Sequence, residues 1–474
     1  MKIQNYADLI DFSTNETGKK ARQVLLDSFK TAIDAVDPYK IVFDNLSVDH
    51  ENETLAVIDD NFDMKNRKIW IIGAGKAVGR MAEALEAVLD GLNIRGAICV
   101  PLGVKKDISL KQIECLECSH PLPSETNIQN TKQVMNLVKK IKADDLVIAL
   151  ISGGGSAIWS APIFPITVED LISLNKLLIN SGMSIHEINT IRKHVSLIKG
   201  GKLSEKISSS IIVLVLSDVI GDNLEIIASG PFYPDPSTFQ ESKSMLMKYK
   251  LWDKSIPSSV KLVIDQGIEG KISETQRKRN GISKKVLHYI LGSNELACKA
   301  ALNHAKKLGF KTKYDSNLIK GEARKLGRSY AEKHSTLVKN QNNAIFLVSG
   351  GEPTMKVRGS GIGGRNQEVA GAYLQFFLNS REISKYNSAF LAVGTDGIDG
   401  NSQYAGVLID KDTLDKSNQI KSELNMYQKN NDLTSFFELV GGSLVLTGPT
   451  GTNVMDLHLG LVNTSEILLS NSSK

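Results

Sequence analysis

Aromatic side chains are scarce in this sequence: 3 Trp, 11 Tyr and 14 Phe make up 6% of 474 residues. That argues against an all-β sandwich and for aliphatic, Gly-rich α/β packing. Cysteine is scarcer. Of Cys99, Cys115, Cys118 and Cys298, the C-x-x-C at 115–118 lies inside the apolar run Ile113–Cys118, and no second pair or His cluster accompanies it. Buried strand thiols are expected there, not a zinc site or a redox pair. No apolar run approaches the roughly 18 residues of a membrane span. The start, MKIQNYADLIDF, lacks a basic-then-apolar leader, so a cytoplasmic chain with no membrane partner is expected. Neither sign of charge dominates: 57 Lys and Arg stand against 52 Asp and Glu, spread along the chain. This suits a small anionic substrate and gives no argument for nucleic acid. Also missing are a Walker-type G-x-x-x-x-G-K-[ST], a G-x-S-x-G elbow and H-E-x-x-H, which excludes a P-loop ATPase and removes two common hydrolase readings.

Glycine, by contrast, is abundant at 38 residues. The chain is organised around Ile69–Met81, IWIIGAGKAVGRM. Apolar and β-branched residues run into Gly73-Ala74-Gly75, and an amphipathic pattern follows Lys76, which reads as strand, tight turn, helix. Such a turn brings backbone close to a bound group and aims Lys76 from a helix N-terminus, where negative charge is favoured. The dinucleotide fingerprint is not met, because Gly79 falls one place late and no acid ends the next strand. A structural turn with a solvated Lys remains open at this point.

Length alone predicts two domains. Helix Glu16–Val36 and a polar connector Tyr39–Leu55 precede the organising strand. Strands Gly96–Val100, Ile113–Cys118, Leu146–Ile151 and Ile211–Leu216 alternate with helices, which implies a doubly wound, mostly parallel, Rossmann-like sheet over residues 1–250. Residues 251–285, including QRKRNG at 276–281, read as a solvated linker. A second α/β series starts at Val286–Leu291 and fills 286–474, and the tail after Ser465 is expected to fray.

Five Gly-rich or acidic loops follow buried strands, and in parallel sheets such loops gather where ligands bind. Ser152-Gly153-Gly154-Gly155-Ser156 and Ser349-Gly350-Gly351-Glu352 both read strand-Ser-Gly-Gly, a pair of candidate cradles for phosphate or substrate, or two tight turns. Asp218 with Asp222, and Asp396 with Asp399, are candidates to hold Mg²⁺ against phosphates, or to cap their own loops. Arg365 and Asn366, opening a helix after Gly363-Gly364, and Arg192 on the Ile185–Leu197 helix are candidates to bind an anionic substrate. Two acid pairs, a Lys and an Arg fit phosphoryl transfer to a small acid.

The ordered motifs GAGKAVGRMA, HPLPSETN, ISGGGSA, HEINTIRKHVSLIKGGKLSE, LSDVIGDNLEIIASGPFYPDPSTF, GEAR, SGGEPTMKVRGSGIGGRNQE, GTDGIDG and TGPTGTNVMDL resemble the glycerate 2-kinase family over roughly residues 17–465. The resemblance implies an N-terminal Rossmann-like glycerate kinase domain, a C-terminal MOFRL domain, and an active site in the cleft between them. It implies ATP- and Mg²⁺-dependent phosphorylation of D-glycerate at its 2-hydroxyl, by a monomer or homodimer, with Lys76 and Arg365 as the critical cations. Asp218 is the choice of proton acceptor. Ile362, Ile220, Ser124 and Met455 depart from the family pattern, and of these Ile362 and Met455 bear on nucleotide preference and substrate fit. An NAD(P)H-dependent hydroxypyruvate reductase and a non-catalytic sugar-acid-binding protein are the rival readings.

Overall fold

The computed structural model describes residues 1–253, 255–275, 286–340, 343–380 and 386–466; the QRKRNG run and residues 467–474 of the tail lie outside them. The chain divides into two compact units, Pro38–Leu291, and Met1–Asp37 together with Gly292–Lys474. Both boundaries differ from the sequence expectation: the first 37 residues belong with the C-terminal unit, and the region read as a linker belongs with the first.

Where a polar connector was expected, the Pro38–Leu291 unit opens with a short helix, Pro38–Phe43, followed by an antiparallel meander of β1 (Leu46–Asp49), β2 (Thr54–Val57) and β3 (Asp60–Asp63). Its main sheet holds β4 (Ile69–Ala74), β5 (Ile94–Pro101), β6 (Ile113–Cys118), β7 (Leu146–Ser152), β8 (Ser210–Leu216) and β9 (Val286–Gly292), in the spatial order β6-β5-β4-β7-β8-β9. The pairs β4–β5, β4–β7, β5–β6 and β7–β8 are parallel. Every residue of β4 and β7 is buried, as strands covered on both faces require. Ile72, Val147, Ile151, Val213 and Val215 share one core, each such side chain contributing about 1.5–3 kcal/mol. β9, expected to begin the second domain, is instead the edge strand of this sheet. The stretch read as linker contains the Ser258–Ile268 helix, whose Val260, Val263, Ile264 and Gly267 are buried. That i, i+3, i+4, i+7 spacing is a helical stripe, packed with Phe239 and Leu246 against Ile188 and Ile191.

The other unit holds β10 (Lys311–Ile319), β11 (Ile345–Gly351), β12 (Ser388–Gly394), β13 (Gly406–Ile409), β14 (Leu444–Val445) and β15 (Asp456–Val462), ordered β10-β11-β15-β12-β13-β14. This sheet is mixed. β10 and β11 are parallel, but β15 runs antiparallel to both of its neighbours, and β12–β13 and β13–β14 are antiparallel too. Its register lines up Gly351, Asp456 and Gly394 across three adjacent strands. The Ala323–Asn340 and Arg365–Leu378 helices pack together over Phe390 and Ala392. The Glu16–Ala35 helix packs on the Asn294–Lys307 helix and on β15 and β12. Arg22 fixes it there through a buried bidentate pair with Asp410, 2.6 and 2.7 Å long.

Candidate active site

Taken in chain order, β4 to β9 lie as 3-2-1-4-5-6, so the order reverses between β4 and β7. Ligands of doubly wound sheets bind outside the carboxyl ends of the strands at such a switch point. The two loops there carry Gly73-Ala74-Gly75-Lys76 and Ser152–Ser156, and they interlock. The Lys76 N–H donates to the Gly153 carbonyl at 2.9 Å, and the Ala77 N–H to Ser152 Oγ at 3.0 Å. Gly75 has φ +151°, and a Cβ there would lie 2.1 Å from Ser152 Oγ, so only glycine fits. Gly73 is confined in the same way by the Leu150 carbonyl and Val78. Gly155 opens a short helix, Gly155–Ile158, and rests on Ala228 and the Ala74 carbonyl.

Three polar side chains converge on this junction. A Cβ on Gly153 would meet Asp218 Oδ2 at 2.1 Å, and one on Gly154 would meet His120 Nε2 at 3.1 Å and Lys76 Cγ at 3.2 Å. Lys76 is exposed and has no ion pair among the described residues. His120, from the loop before the Glu125–Val138 helix, was not singled out from the sequence. Burial and the nearby Lys76 charge lower its pKa to about 4, so its ring is neutral at pH 7 and free of charge repulsion with Lys76. Ser156 Oγ lies 2.8 Å from Ser229 Oγ, which donates to Asn189 Oδ1 at 3.1 Å.

Beside this junction a cavity of about 260 Å³ is bounded by the 120–123 loop, Gly154, Ser156, Leu171, Arg192 and Lys199, among others. Arg192 Nε donates to Asn175 Oδ1 at 2.8 Å. The Lys199 ammonium donates to the Ser156 carbonyl at 2.5 Å, to Ser156 Oγ at 3.1 Å and to the Trp159 carbonyl at 3.2 Å. Burial, with Arg192 nearby, brings the Lys199 pKa down to about 7. Sequence reading passed over Lys199 because a lysine in IKGGK reads as one surface charge among several; its burial follows from tertiary packing alone.

In the other unit, Arg365 is the first residue of the Arg365–Leu378 helix. It donates through Nε and Nη2 to Asp456 at 2.5 and 3.1 Å, and through Nη1 to Glu352 at 2.9 Å. Asp456 is 1% exposed, and burial raises its pKa to about 6 against the lowering effect of Arg365. It too was missed, although it opens the fully buried run DLHLGLV. Asp396 accepts the Ile398 N–H at 3.2 Å and lies against Gly394.

Several candidates in this unit face inward. Asp399 is 1% exposed and caps the helix, accepting the Asn366 and Gln367 N–H groups at 3.0 and 2.8 Å; burial raises its pKa to about 7. In this arrangement it serves as the helix cap. The Asn366 side chain is held between Asp399 and His458 Nε2, and Ser349 donates to the Tyr330 hydroxyl. Gly350 and Gly351 pair within the ladders, where a Cβ would strike Asn294 or the Ile319 carbonyl. Their backbone is spent on the sheet, so the second Ser-Gly-Gly does not form the open cradle expected of it. No group of three or more His, Cys, Asp or Glu able to hold a metal occurs among the described residues, and the expected pairs Asp218–Asp222 and Asp396–Asp399 make no cluster of that size. Asp218 and Asp222 lie in the loop after β8, with Asp222 in a left-handed conformation at φ +53°.

Comparison with known proteins agrees with this architecture. The family model described as a domain of unknown function, DUF4147, matches residues 24–265, and the MOFRL family model matches 345–456. Glycerate 2-kinase of Pyrococcus horikoshii is 37% identical over 445 residues, covering 93% of this chain and 97% of that protein. Glycerate kinase of Mus musculus is 33% identical over 495 residues, covering 93% and 92%. The crystal structure of glycerate kinase from Thermotoga maritima superposes with a TM-score of 0.78 at 32% identity, covering 93% of this chain and 99% of that one. Identity of this extent over nearly the whole of each chain places the protein in the glycerate 2-kinase family, with Lys76 in its DUF4147 region and Arg365 and Asp456 in its MOFRL region.

Proposed function

We propose that the protein phosphorylates D-glycerate at its 2-hydroxyl, consuming ATP with Mg²⁺ and releasing 2-phosphoglycerate and ADP. The observation that carries this reading is Lys76, an exposed cation without an ion pair among the described residues, set at the switch point between two interlocked glycine loops. The glycerate kinase relatives support the choice of substrate.

Phosphoryl transfer asks a protein mainly for positioning and for charge aimed at the transferring oxygens. Lys76 supplies a point charge, and the Gly153–Gly155 turn lets backbone approach phosphate closely. Arg365 has five N–H donors, of which three are committed to Asp456 and Glu352. The remaining two are available to an anionic oxygen, and the carboxylates hold the planar fork still. Mg²⁺ bound to the nucleotide offsets phosphate charge, and it commonly needs only one or two protein carboxylates. Asp218, half-buried against Gly153, fits that role or the role of proton acceptor for the 2-hydroxyl, and Asp222 and Asp396 are the further candidates.

The reductase reading needs a carboxylate at the end of the second strand to bind a ribose, and β5 ends on Cys99-Val100-Pro101. A coupled ADP-release assay tests the proposal. D-glycerate-dependent ADP formation is the expected result, and its absence at saturating D-glycerate overturns the kinase reading.

A further inference from the structure

The stretch from Arg192 to Lys202 brings three cations, Lys193, Lys199 and Lys202, into the interior of one unit, with Arg192 half-buried beside them. Lys193, Lys199 and Lys202 are 5%, 7% and 9% exposed. Burying a charge is costly unless something of opposite sign compensates it, and here the compensation is uneven. Lys193 pairs with Asp235 at 3.1 Å. Lys202 satisfies its hydrogen bonds on the Lys193 and Ser196 carbonyls at 2.9 and 2.8 Å, with Asp235 and Glu274 as more distant negative neighbours. Lys199 is satisfied on neutral oxygens alone, and Arg192 on the neutral amide of Asn175. Neither has a salt bridge among the described residues. Both line the same 260 Å³ cavity.

The remaining walls fit that charge with a small organic body. Pro121, Leu122, Pro162, Leu171 and Ile179 give apolar surface, while Ser160 and Ser196 add hydroxyls. His120, the remaining titratable group on the lining, is neutral at pH 7 and does not cancel the positive potential. A cavity of this kind, mostly apolar with a few convergent polar groups, is what a small-molecule site looks like.

We propose that this cavity is an oxyanion-binding pocket in which Arg192 contacts a carboxylate or phosphate of a bound small molecule whose carbon skeleton rests on Leu122, Pro162, Leu171 and Ile179. Lys199 is a positioning residue there: its three hydrogen bonds hold Ser156 and the end of the glycine turn and leave no N–H free for a ligand. The proposal rests on the kinase reading for the two natural sources of the oxyanion, the carboxylate of D-glycerate and the phosphates of the nucleotide. The pocket itself requires only the geometry.

The test is calorimetric titration of the full chain with ADP, with D-glycerate and with inorganic phosphate, run separately. Arg192→Gln removes the fork, and Ile179→Trp blocks the pocket from a side chain that is 60% exposed, so it leaves the core alone. Lys206→Gln, an exposed position, controls for the loss of one positive charge elsewhere. Both pocket variants should weaken binding of ADP, of D-glycerate, or of both by a factor on the order of 10 to 100, the usual worth of a charge-assisted contact, and Lys206→Gln should not. Weakening confined to ADP identifies a nucleotide phosphate as the oxyanion, and weakening confined to D-glycerate identifies its carboxylate. If Arg192→Gln fails to fold, Ile179→Trp decides alone. Wild-type affinity for all three probes in the folded variants overturns the pocket. A wild-type protein that binds phosphate through Arg192 but forms no ADP with D-glycerate overturns the kinase reading and leaves the pocket standing.

Discussion

The guanidinium of Arg365 holds the carboxylate of Asp456 through two of its nitrogens while Asp456 itself is buried at the start of the central strand β15. From the sequence, Arg365 is expected to matter for catalysis and hardly at all for stability. The pairing revises the second half. Arg365→Ala leaves a carboxylate buried without its partner, which costs about 3–5 kcal/mol, besides lowering kcat by a factor on the order of 10³. Arg365→Lys should recover little of the rate, because a point charge does not reproduce the fork. The double variant Arg365→Ala, Asp456→Asn should regain much of the lost melting temperature and none of the rate. Thermal unfolding beside steady-state kinetics checks this, and equal melting temperatures for the single and double variants would contradict it.

Lys76 and His120 flank the same Gly154, and Lys76 is one of the two causes that hold the His120 pKa near 4. Lys76→Met should therefore move the His120 titration upward, read from its ring proton shifts in NMR. The same variant should raise KM as well as lower kcat, since it removes charge felt by substrate and transition state alike. An unmoved His120 titration in a folded variant would place Lys76 away from the junction.

Gly153→Ala tests the acidic side of that junction. Its Cβ would fall 2.1 Å from Asp218 Oδ2, so the Asp218 carboxylate has to turn away. If Asp218 binds Mg²⁺ or takes the hydroxyl proton, kcat should fall by a factor on the order of 10² while the melting temperature drops only modestly. Unchanged kcat would remove Asp218 from the reaction.

Lys199 gives a pH signature. Its pKa is about 7 in the folded chain against an ordinary 10.5, so between those values the unfolded chain binds more protons than the native one. Stability then rises with pH across that window. The advantage is largest above pH 10.5 and is lost as pH falls toward 7. Lys199→Met should flatten this slope, by an amount on the order of 1 kcal/mol or more between pH 7 and 10. Denaturant unfolding at several pH values measures it, and parallel slopes for both proteins would refute it.

How much of this was legible in the sequence follows from what each signal encodes. The Ile69–Met81 turn and the Ser152–Ser156 turn were readable because a strand that ends on glycines before an amphipathic pattern has few other solutions. Strand partners were not readable. Neither the apolar run Val286–Gly292 nor the fully buried run Asp456–Val462 gives a sign of its neighbours or its direction, so β9 was assigned to the wrong sheet and the mixed character of the second sheet went unseen. The Ser258–Ile268 helix was hidden because its four buried positions sit among charges that dominate the local composition. For Asp399 the sequence left metal ligand and cap both open, because the two call for the same carboxylate. Only the neighbouring N–H groups of Asn366 and Gln367 distinguish them.

The unit that contains Arg365 is assembled from the two ends of the chain. The Glu16–Ala35 helix, with Val24, Leu25, Phe29 and Ile33 buried, leaves the ribosome long before β15, the strand it packs on. Synthesised from its N-terminus, the Pro38–Leu291 unit has all its strands available well before the other can close, since β9 ends at Gly292 and β15 at Val462. The early helix must keep its apolar stripe soluble, or sheltered by a chaperone, through that interval. A polypeptide stopped at residue 285 would carry that stripe and the Arg22 charge with neither Asp410 nor β15 to receive them. A circular permutant that opens at residue 38 and joins the old ends would place the helix next in sequence to its sheet and shorten the wait.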